Sequence, residues 1–307
     1  MNSSDKFSEI SNLKKEKNAI VLSHTYAVPE VQDVADYVGD SFGLSKQASE
    51  ISGVDKIVFA GVLFMAETAA MLAPDKKVLL PVADAGCPMA DTITADELRT
   101  LKRKHPDAAV VCYVNSSSET KAESDVCVTS SNAIKIVRRL KEKQVIFVPD
   151  KNLGSYVAEQ IPEKEIILWP HGHCYVHSRV SPEDVNAVKK DHPDGMVLMH
   201  PECPPEARKK ADLILSTGQM AEVVKNKKSK KYIIITEEGI IHHLKSFDKD
   251  AVFIPMPAPT MYCSNMKKNR YHDLVAALEN DRNIITVPEN VAEKARISLE
   301  RMLELAK

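Results

Sequence analysis

Three of the six cysteines in this 307-residue chain, Cys87, Cys174 and Cys263, lie 87 and 89 residues apart. Each follows a short apolar run of strand character: Val78-Leu79-Leu80-Pro81, Ile166-Ile167-Leu168-Trp169 and Val252-Phe253-Ile254-Pro255. The period is not confined to cysteine. A shift of 87 residues lays Leu101-Lys102-Arg103-Lys104-His105-Pro106-Asp107 on Val188-Lys189-Lys190-Asp191-His192-Pro193-Asp194. A period this long, with strands inside it, indicates three copies of one supersecondary unit. Set around an approximate threefold axis, the copies bring three thiolates to one point, a site for a metal or cluster with one coordination position left open.

Offsets of 89 and then 87 residues bring further polar residues into register. Ser23-His24-Thr25-Tyr26 falls on Cys112-Tyr113-Val114-Asn115 and on Met199-His200-Pro201-Glu202. The triplets are His24, Tyr113, His200 and Tyr26, Asn115, Glu202. A later stretch aligns Asp36, Asp125 and Asp212, followed by the hydroxyls Ser41, Ser130 and Thr217. Core packing does not require three different polar side chains at one repeated position, so the first two triplets read as a site. The hydroxyls stand where apolar runs pass into helical patterns, and a helix start with free amides suits a carboxylate or phosphate. The three aspartates read as structural hydrogen bonders. Cys112 and Cys127 lie in apolar patterns and read as small buried hydrophobes. Cys203 is off the register of the three ligands and reads as near the site without being one.

The elements that must position these residues are short apolar runs alternating with helical segments. The predicted strands are Ala19 to Leu22, Lys56 to Ala60 and Val78 to Pro81, then Ala109 to Val114, Val145 to Val148 and Ile166 to Trp169, then Met196 to Met199, Tyr232 to Thr236 and Val252 to Pro255. Three strands per module with helix-length links predict an α/β fold: three pseudo-threefold-related parallel βαβ modules, in α/β/α layers around a central cavity. Thr94-Ala95-Asp96-Glu97 and Ser181-Pro182-Glu183-Asp184 read as helix starts in register. The expected division is residues 1–87 with the N-terminal segment and first module, 88–174 and 175–263 for the second and third, and 264–307 as a helical tail. Ligands of open parallel sheets bind beyond the carboxyl ends of the strands, where the polar triplets and the cysteines all fall.

Composition narrows the function. Hydrophobic content of 44% and charge of 27% are those of a globular protein, and a net charge of −2 leaves no electrostatic footprint for nucleic acid or an anionic membrane. No apolar stretch approaches a membrane span and Met1-Asn2-Ser3-Ser4-Asp5-Lys6 carries no signal-peptide core, so a cytoplasmic location is expected. No pair of cysteines is spaced C-x-x-C, and neither a G-x-G-x-x-G nor a P-loop is present. Zinc on the three thiolates, completed by His173 or His177, is chemically sound. A [4Fe–4S] cubane with three thiolates leaves one iron open as a Lewis acid, and its own threefold symmetry matches the repeat. The residues alone leave both open and favour the cluster.

Several motifs carry a resemblance: His24-Thr25-Tyr26, Asp33-Val34-Ala35-Asp36-Tyr37-Val38-Gly39-Asp40-Ser41, Phe64-Met65-Ala66-Glu67-Thr68, Asp84-Ala85-Gly86-Cys87, Tyr113-Val114-Asn115, Thr129-Ser130-Ser131-Asn132, Pro149-Asp150-Lys151-Asn152-Leu153-Gly154 and His200-Pro201-Glu202-Cys203-Pro204. From about residue 20 onward the chain resembles the quinolinate synthase family. The resemblance implies a transferase of de novo NAD biosynthesis that condenses iminoaspartate with dihydroxyacetone phosphate to give quinolinate, phosphate and water. It implies a [4Fe–4S] cluster on Cys87, Cys174 and Cys263, and substrate contacts from His24, Ser41, Tyr113, Asn115, Ser130, His200, Glu202 and Thr217. Tyr26, Glu202 and His200 are then the catalytic candidates, with phenol and carboxylate suited to acid–base work. Transient handover from the enzyme making iminoaspartate is the one protein partnership implied. Many members carry C-x-x-C-x-x-C at the last ligand, whereas Cys263-Ser264-Asn265-Met266 has a single cysteine, so a redox-switch disulfide there is not expected. The competing readings are an iron–sulfur hydro-lyase acting on a hydroxy acid and a cluster- or zinc-binding sensor.

Overall fold

The computed structural model of the chain describes residues 3–307. Among these, twelve strands form three separate four-stranded parallel sheets. The first sheet contains β1 (Ala19–His24), β2 (Tyr37–Gly39), β3 (Lys56–Ala60) and β4 (Lys77–Leu79). The second contains β5 (Ala109–Tyr113), β6 (Val126–Val128), β7 (Gln144–Val148) and β8 (Glu165–Leu168). The third contains β9 (Met196–Met199), β10 (Leu213–Ile214), β11 (Lys231–Ile235) and β12 (Val252–Pro255). The spatial order is the same in each sheet: second, first, third, fourth. The α/β architecture of three parallel modules with covering helices is therefore as the repeat predicted.

All nine predicted strands are present, and each module has one more. The added strands β2, β6 and β10 have only two or three residues and pair with the first strand of their sheet. The recurrent aspartates explain them. Asp36 Oδ2 accepts from Val21 N at 2.8 Å, Asp125 Oδ2 from Val110 N at 2.7 Å, and Asp212 Oδ2 from Val197 N at 2.8 Å. The backbone N–H of each aspartate donates back to the carbonyl of the same valine. One residue thus closes both polar groups of a strand residue, and the chain that follows is delivered beside the first strand as a short parallel partner. The structural reading of these aspartates holds. The run predicted from Val78 to Pro81 ends earlier as a strand, because Leu80 N is taken by Asn283 O at 3.1 Å.

Helix starts follow the sequence closely. Thr94 and Ser181 both form capping boxes, with Glu97 and Asp184 reaching back to the cap amides. The C-terminal residues do not stand apart from the modules. Helix Tyr271–Asn280 buries Tyr271, Leu274, Ala277 and Leu278 against Val21, Val58, Ala60 and Leu79 of the first sheet. Helix Glu289–Leu305 packs on β6 and on helix Ser118–Ala122 of the second module. No described helix is long and apolar enough to cross a membrane.

Candidate active site at the junction of the three sheets

A cavity of about 740 Å³, counting the space at its mouth that is open to solvent, lies at the carboxyl ends of the strands. Its walls include the nine residues of the three candidate-site triplets: His24, Tyr26 and Ser41 from the first module, Tyr113, Asn115 and Ser130 from the second, His200, Glu202 and Thr217 from the third. Cys87, Cys174 and Cys263 line it too, and all three are partly accessible, whereas Cys112, Cys127 and Cys203 are fully buried in apolar packing. The convergence is a consequence of topology. The first strand of each sheet is internal, each cysteine follows the edge strand two places away (β4, β8 or β12), and all of these strands run parallel, so both sets of residues leave at the same carboxyl edge.

His24 and His200 repeat one local geometry. Tyr26 N donates to His24 Nδ1 at 3.1 Å, and Glu202 N donates to His200 Nδ1 at 3.4 Å. An imidazole that accepts at Nδ1 carries its proton at Nε2 when neutral. His200 Nε2 then donates to Ser130 Oγ at 3.2 Å. Burial lowers both imidazoles to about 3, so both are neutral near pH 7; the Lys267 charge acts with burial on His24, and Glu202 opposes it at His200.

A hydrogen-bonded chain crosses the cavity wall and joins all three modules. Tyr26 Oη lies 2.6 Å from Thr236 Oγ1, which lies 2.9 Å from His177 Nε2. His177 Nδ1 is 2.7 Å from Glu202 Oε2 and 3.2 Å from Cys174 Sγ. Tyr113 Oη donates to Glu202 Oε1 at 2.5 Å. Burial acts to raise the Glu202 carboxyl, but His177, His200 and the Tyr113 hydroxyl outweigh it and hold the group below the usual carboxylate range. Burial raises the phenols of Tyr26 and Tyr113, with the Glu202 charge adding to the shift at Tyr113. With Glu202 ionised, Nδ1 of His177 carries the proton and Nε2 is free to accept from Thr236, which in turn accepts from Tyr26.

The hydroxyl triplet is less uniform than its register. Ser41 and Thr217 are the first residues of helices Ser41–Glu50 and Thr217–Lys225, but Ser130 precedes the cap Asn132 of helix Ala133–Arg139. The helix amides are partly taken already: Asp40 Oδ1 accepts from Gly43 N at 2.8 Å, and Ser216 Oγ accepts from Gln219 N at 3.3 Å. What the helix starts leave for a ligand is chiefly the hydroxyls. Asn115 Oδ1 is buried with no protein partner. On the cavity wall, that oxygen is free to accept from a donor on a bound molecule.

Metal-type donors are present. Cys174, His177 and Glu202 have ligand atoms within 4.8 Å of one another, the set among the described residues that could hold a single ion. Two of these donors are already joined by the hydrogen bond between His177 and Glu202. Cys87 and Cys263 line the same cavity as Cys174, so two further thiol donors border this site. The sequence marks His177 only as a possible zinc ligand and Thr236 only as a strand end. The apolar run before Thr236 hid it, since nothing in a strand pattern marks its last hydroxyl as functional.

An α/β fold with a thiol-lined cavity, buried neutral imidazoles and an ionised carboxylate defines an enzyme site rather than a binding scaffold. A family model described as Quinolinate synthetase A protein matches residues 8–304, and the chain belongs to that family. It is 49% identical over 305 residues to a quinolinate synthase of Alkaliphilus metalliredigens, covering 99% of this chain and 100% of that one. It is 50% identical over 298 residues to a quinolinate synthase of Caldicellulosiruptor saccharolyticus, covering 97% of each. Another, from Clostridium kluyveri, is 49% identical over 297 residues, again covering 97% of each.

Proposed function

We propose that this enzyme condenses iminoaspartate with dihydroxyacetone phosphate to give quinolinate, phosphate and water, the quinolinate feeding NAD synthesis in the cytoplasm. The observation that carries the reading is one cavity bordered by three accessible thiols, one from each module, beside the chain Tyr26–Thr236–His177–Glu202. Cys87, Cys174 and Cys263 would hold a [4Fe–4S] cluster. When bound there, the group supplies one iron with an open position, a Lewis acid for carboxylate or hydroxyl oxygen.

The remaining chemistry falls to the chain. Condensation and aromatisation require protons to leave carbon and to reach departing hydroxyls. Tyr26 accepts such a proton as its own passes through Thr236 to His177 Nε2, and Glu202 stabilises the imidazolium formed. Reversal of the relay returns the proton to a leaving hydroxyl. Glu202 also orients Tyr113. Neutral His24 can donate through Nε2 to carboxylate or carbonyl oxygen without charging, while His200, whose Nε2 donates to Ser130 Oγ, orients that hydroxyl toward the substrate. Asn115, Ser41, Ser130 and Thr217 fit the remaining carboxylate and phosphate oxygens. The division of the chain at residues 87, 174 and 263, and handover of iminoaspartate from the enzyme that makes it, belong to the same proposal.

The test is anaerobic purification followed by metal analysis and assay. Brown protein containing iron and sulfide, and forming quinolinate from the two substrates, is expected. Colourless protein with stoichiometric zinc, or clustered protein that only hydrates an unsaturated acid, would sink the reading.

A further inference from the structure

Gly61, Asp150 and Glu237 occupy one register position, just beyond β3, β7 and β11. Asp150 and Glu237 are fully buried. Asp150 Oδ1 accepts from Leu153 N at 2.8 Å and so caps helix Lys151–Gln160, while Oδ2 accepts from Cys174 N at 3.1 Å. Glu237 repeats the arrangement: Oε2 accepts from Gly239 N at 2.7 Å and Oε1 from Cys263 N at 3.1 Å. Each carboxylate therefore joins the start of a helix to the backbone of a cavity cysteine. An asparagine or serine would cap a helix at a smaller desolvation cost, but a side-chain amide has only one acceptor oxygen and cannot serve two N–H groups on opposite sides.

The first module has glycine at this position and ties its cysteine loop from outside. Lys268 Nζ donates to Asp84 O at 2.7 Å, three residues before Cys87, and Asn269 Nδ2 donates to Gly61 O at 2.7 Å. Lys267 Nζ donates to Glu237 Oε2 at 2.8 Å and to Tyr26 O at 2.5 Å. The segment following Cys263 thus fastens the third anchor to the loops that carry Tyr26 and Cys87.

We propose that Asp150 and Glu237 are positioning residues for the thiols of Cys174 and Cys263, and that Lys267 locks the Glu237 anchor to the Tyr26 loop. The inference rests on the cluster reading above. Its test uses the reconstituted full chain and two readouts other than activity: the rate at which a ferrous-iron chelator removes iron, and thermal unfolding of the apoprotein. Asp150→Ala is expected to lose iron about 10–100-fold faster than the parent, as loss of an outer hydrogen-bond partner does at metal sites. Asp150→Asn, which retains one acceptor, is expected to fall between them and carries the test should the alanine variant not fold. Glu237→Gln combined with Lys267→Met leaves the second anchor one acceptor and no unpaired buried charge, and an acceleration like that of Asp150→Asn is expected. Ser181→Ala, which removes a helix cap that touches no cysteine, should release iron at the parent rate even if its apoprotein melts earlier. A parent chain that takes up no cluster would overturn the proposed function and this inference with it. A clustered parent matched in iron release by folded Asp150→Asn and by the Glu237/Lys267 double variant would overturn this inference alone.

Discussion

His177 Nδ1 and Glu202 Oε2 stand 2.7 Å apart, with both side chains almost completely removed from solvent. The pair joins the loop after Cys174 to the end of β9, so the imidazole bonded to Thr236 and the carboxylate that orients it come from different parts of the fold. A buried carboxylate is tolerated here because Tyr113 and His177 between them meet both of its oxygens.

Replacing the charge without the shape isolates its role. Glu202→Gln is expected to retain fold and iron while lowering turnover by about 10²–10⁴, the usual worth of a general acid or base. Iron analysis and steady-state quinolinate formation on the same preparation check this. Near-parental turnover in fully clustered protein would remove Glu202 from the chemistry.

Thr236→Val keeps volume but breaks the chain between Tyr26 and His177. Two buried polar groups lose their partner, at about 1–3 kcal/mol each. Turnover is expected to fall about 10–100-fold, the usual cost of an outer-shell hydrogen bond, with the cluster retained. Urea unfolding and assay side by side decide it: lost stability with unchanged turnover would make Thr236 structural only.

Serine at Cys87, Cys174 or Cys263 is expected to abolish iron retention. Serine at Cys112, Cys127 or Cys203 should leave the cluster in place, at a polar-burial cost of about 1–3 kcal/mol. Iron that survives the loss of Cys263 but not of Cys203 would show the ligand set to be misassigned.

The buried imidazoles make a statement about pH. His24 and His200 sit at about 3 in the folded chain against an ordinary 6.5. Below pH 6.5 the unfolded chain therefore binds protons that the folded one refuses, so the stability they contribute is present above that value. It is lost as pH falls toward 3, by up to about 1.4 kcal/mol per pH unit for each group. Chemical unfolding of the apoprotein between pH 7 and pH 5 should show this slope reduced in His24→Gln. An unchanged slope would mean that His24 takes up a proton in the folded state.

Most of this site was legible because the repeat compares the chain with itself. The offsets that aligned the cysteines also aligned His24 with His200 and Tyr26 with Glu202, and the shared Nδ1 geometry is the physical content of that alignment. Strands such as Lys56–Ala60 and Met196–Met199 were marked by continuous apolar runs, as expected of sheets buried on both faces. The short strands escaped because a two-residue element such as Leu213–Ile214 has no periodicity to detect; the recurrent aspartate just before each was their only signal. His177 and Thr236 have no register partners of like chemistry. Asp150 and Glu237 do, but Gly61 breaks their triplet, and a carboxylate beyond a strand cannot be told from a solvated turn until its two amides are seen.

The helix Glu289–Leu305 completes the second module although it follows the third. Ala295, Leu299 and Met302 are wholly buried, Ser298 Oγ donates to Lys121 O at 3.0 Å, and Cys127 Sγ lies 3.2 Å from the same hydroxyl. During synthesis the middle of the protein must therefore wait, one face uncovered, until the 137 residues from the end of β8 to Leu305 have been made, on the order of ten seconds at ordinary rates of translation. The second module is thus the last of the three to close its core, although its strands are the second set to be made.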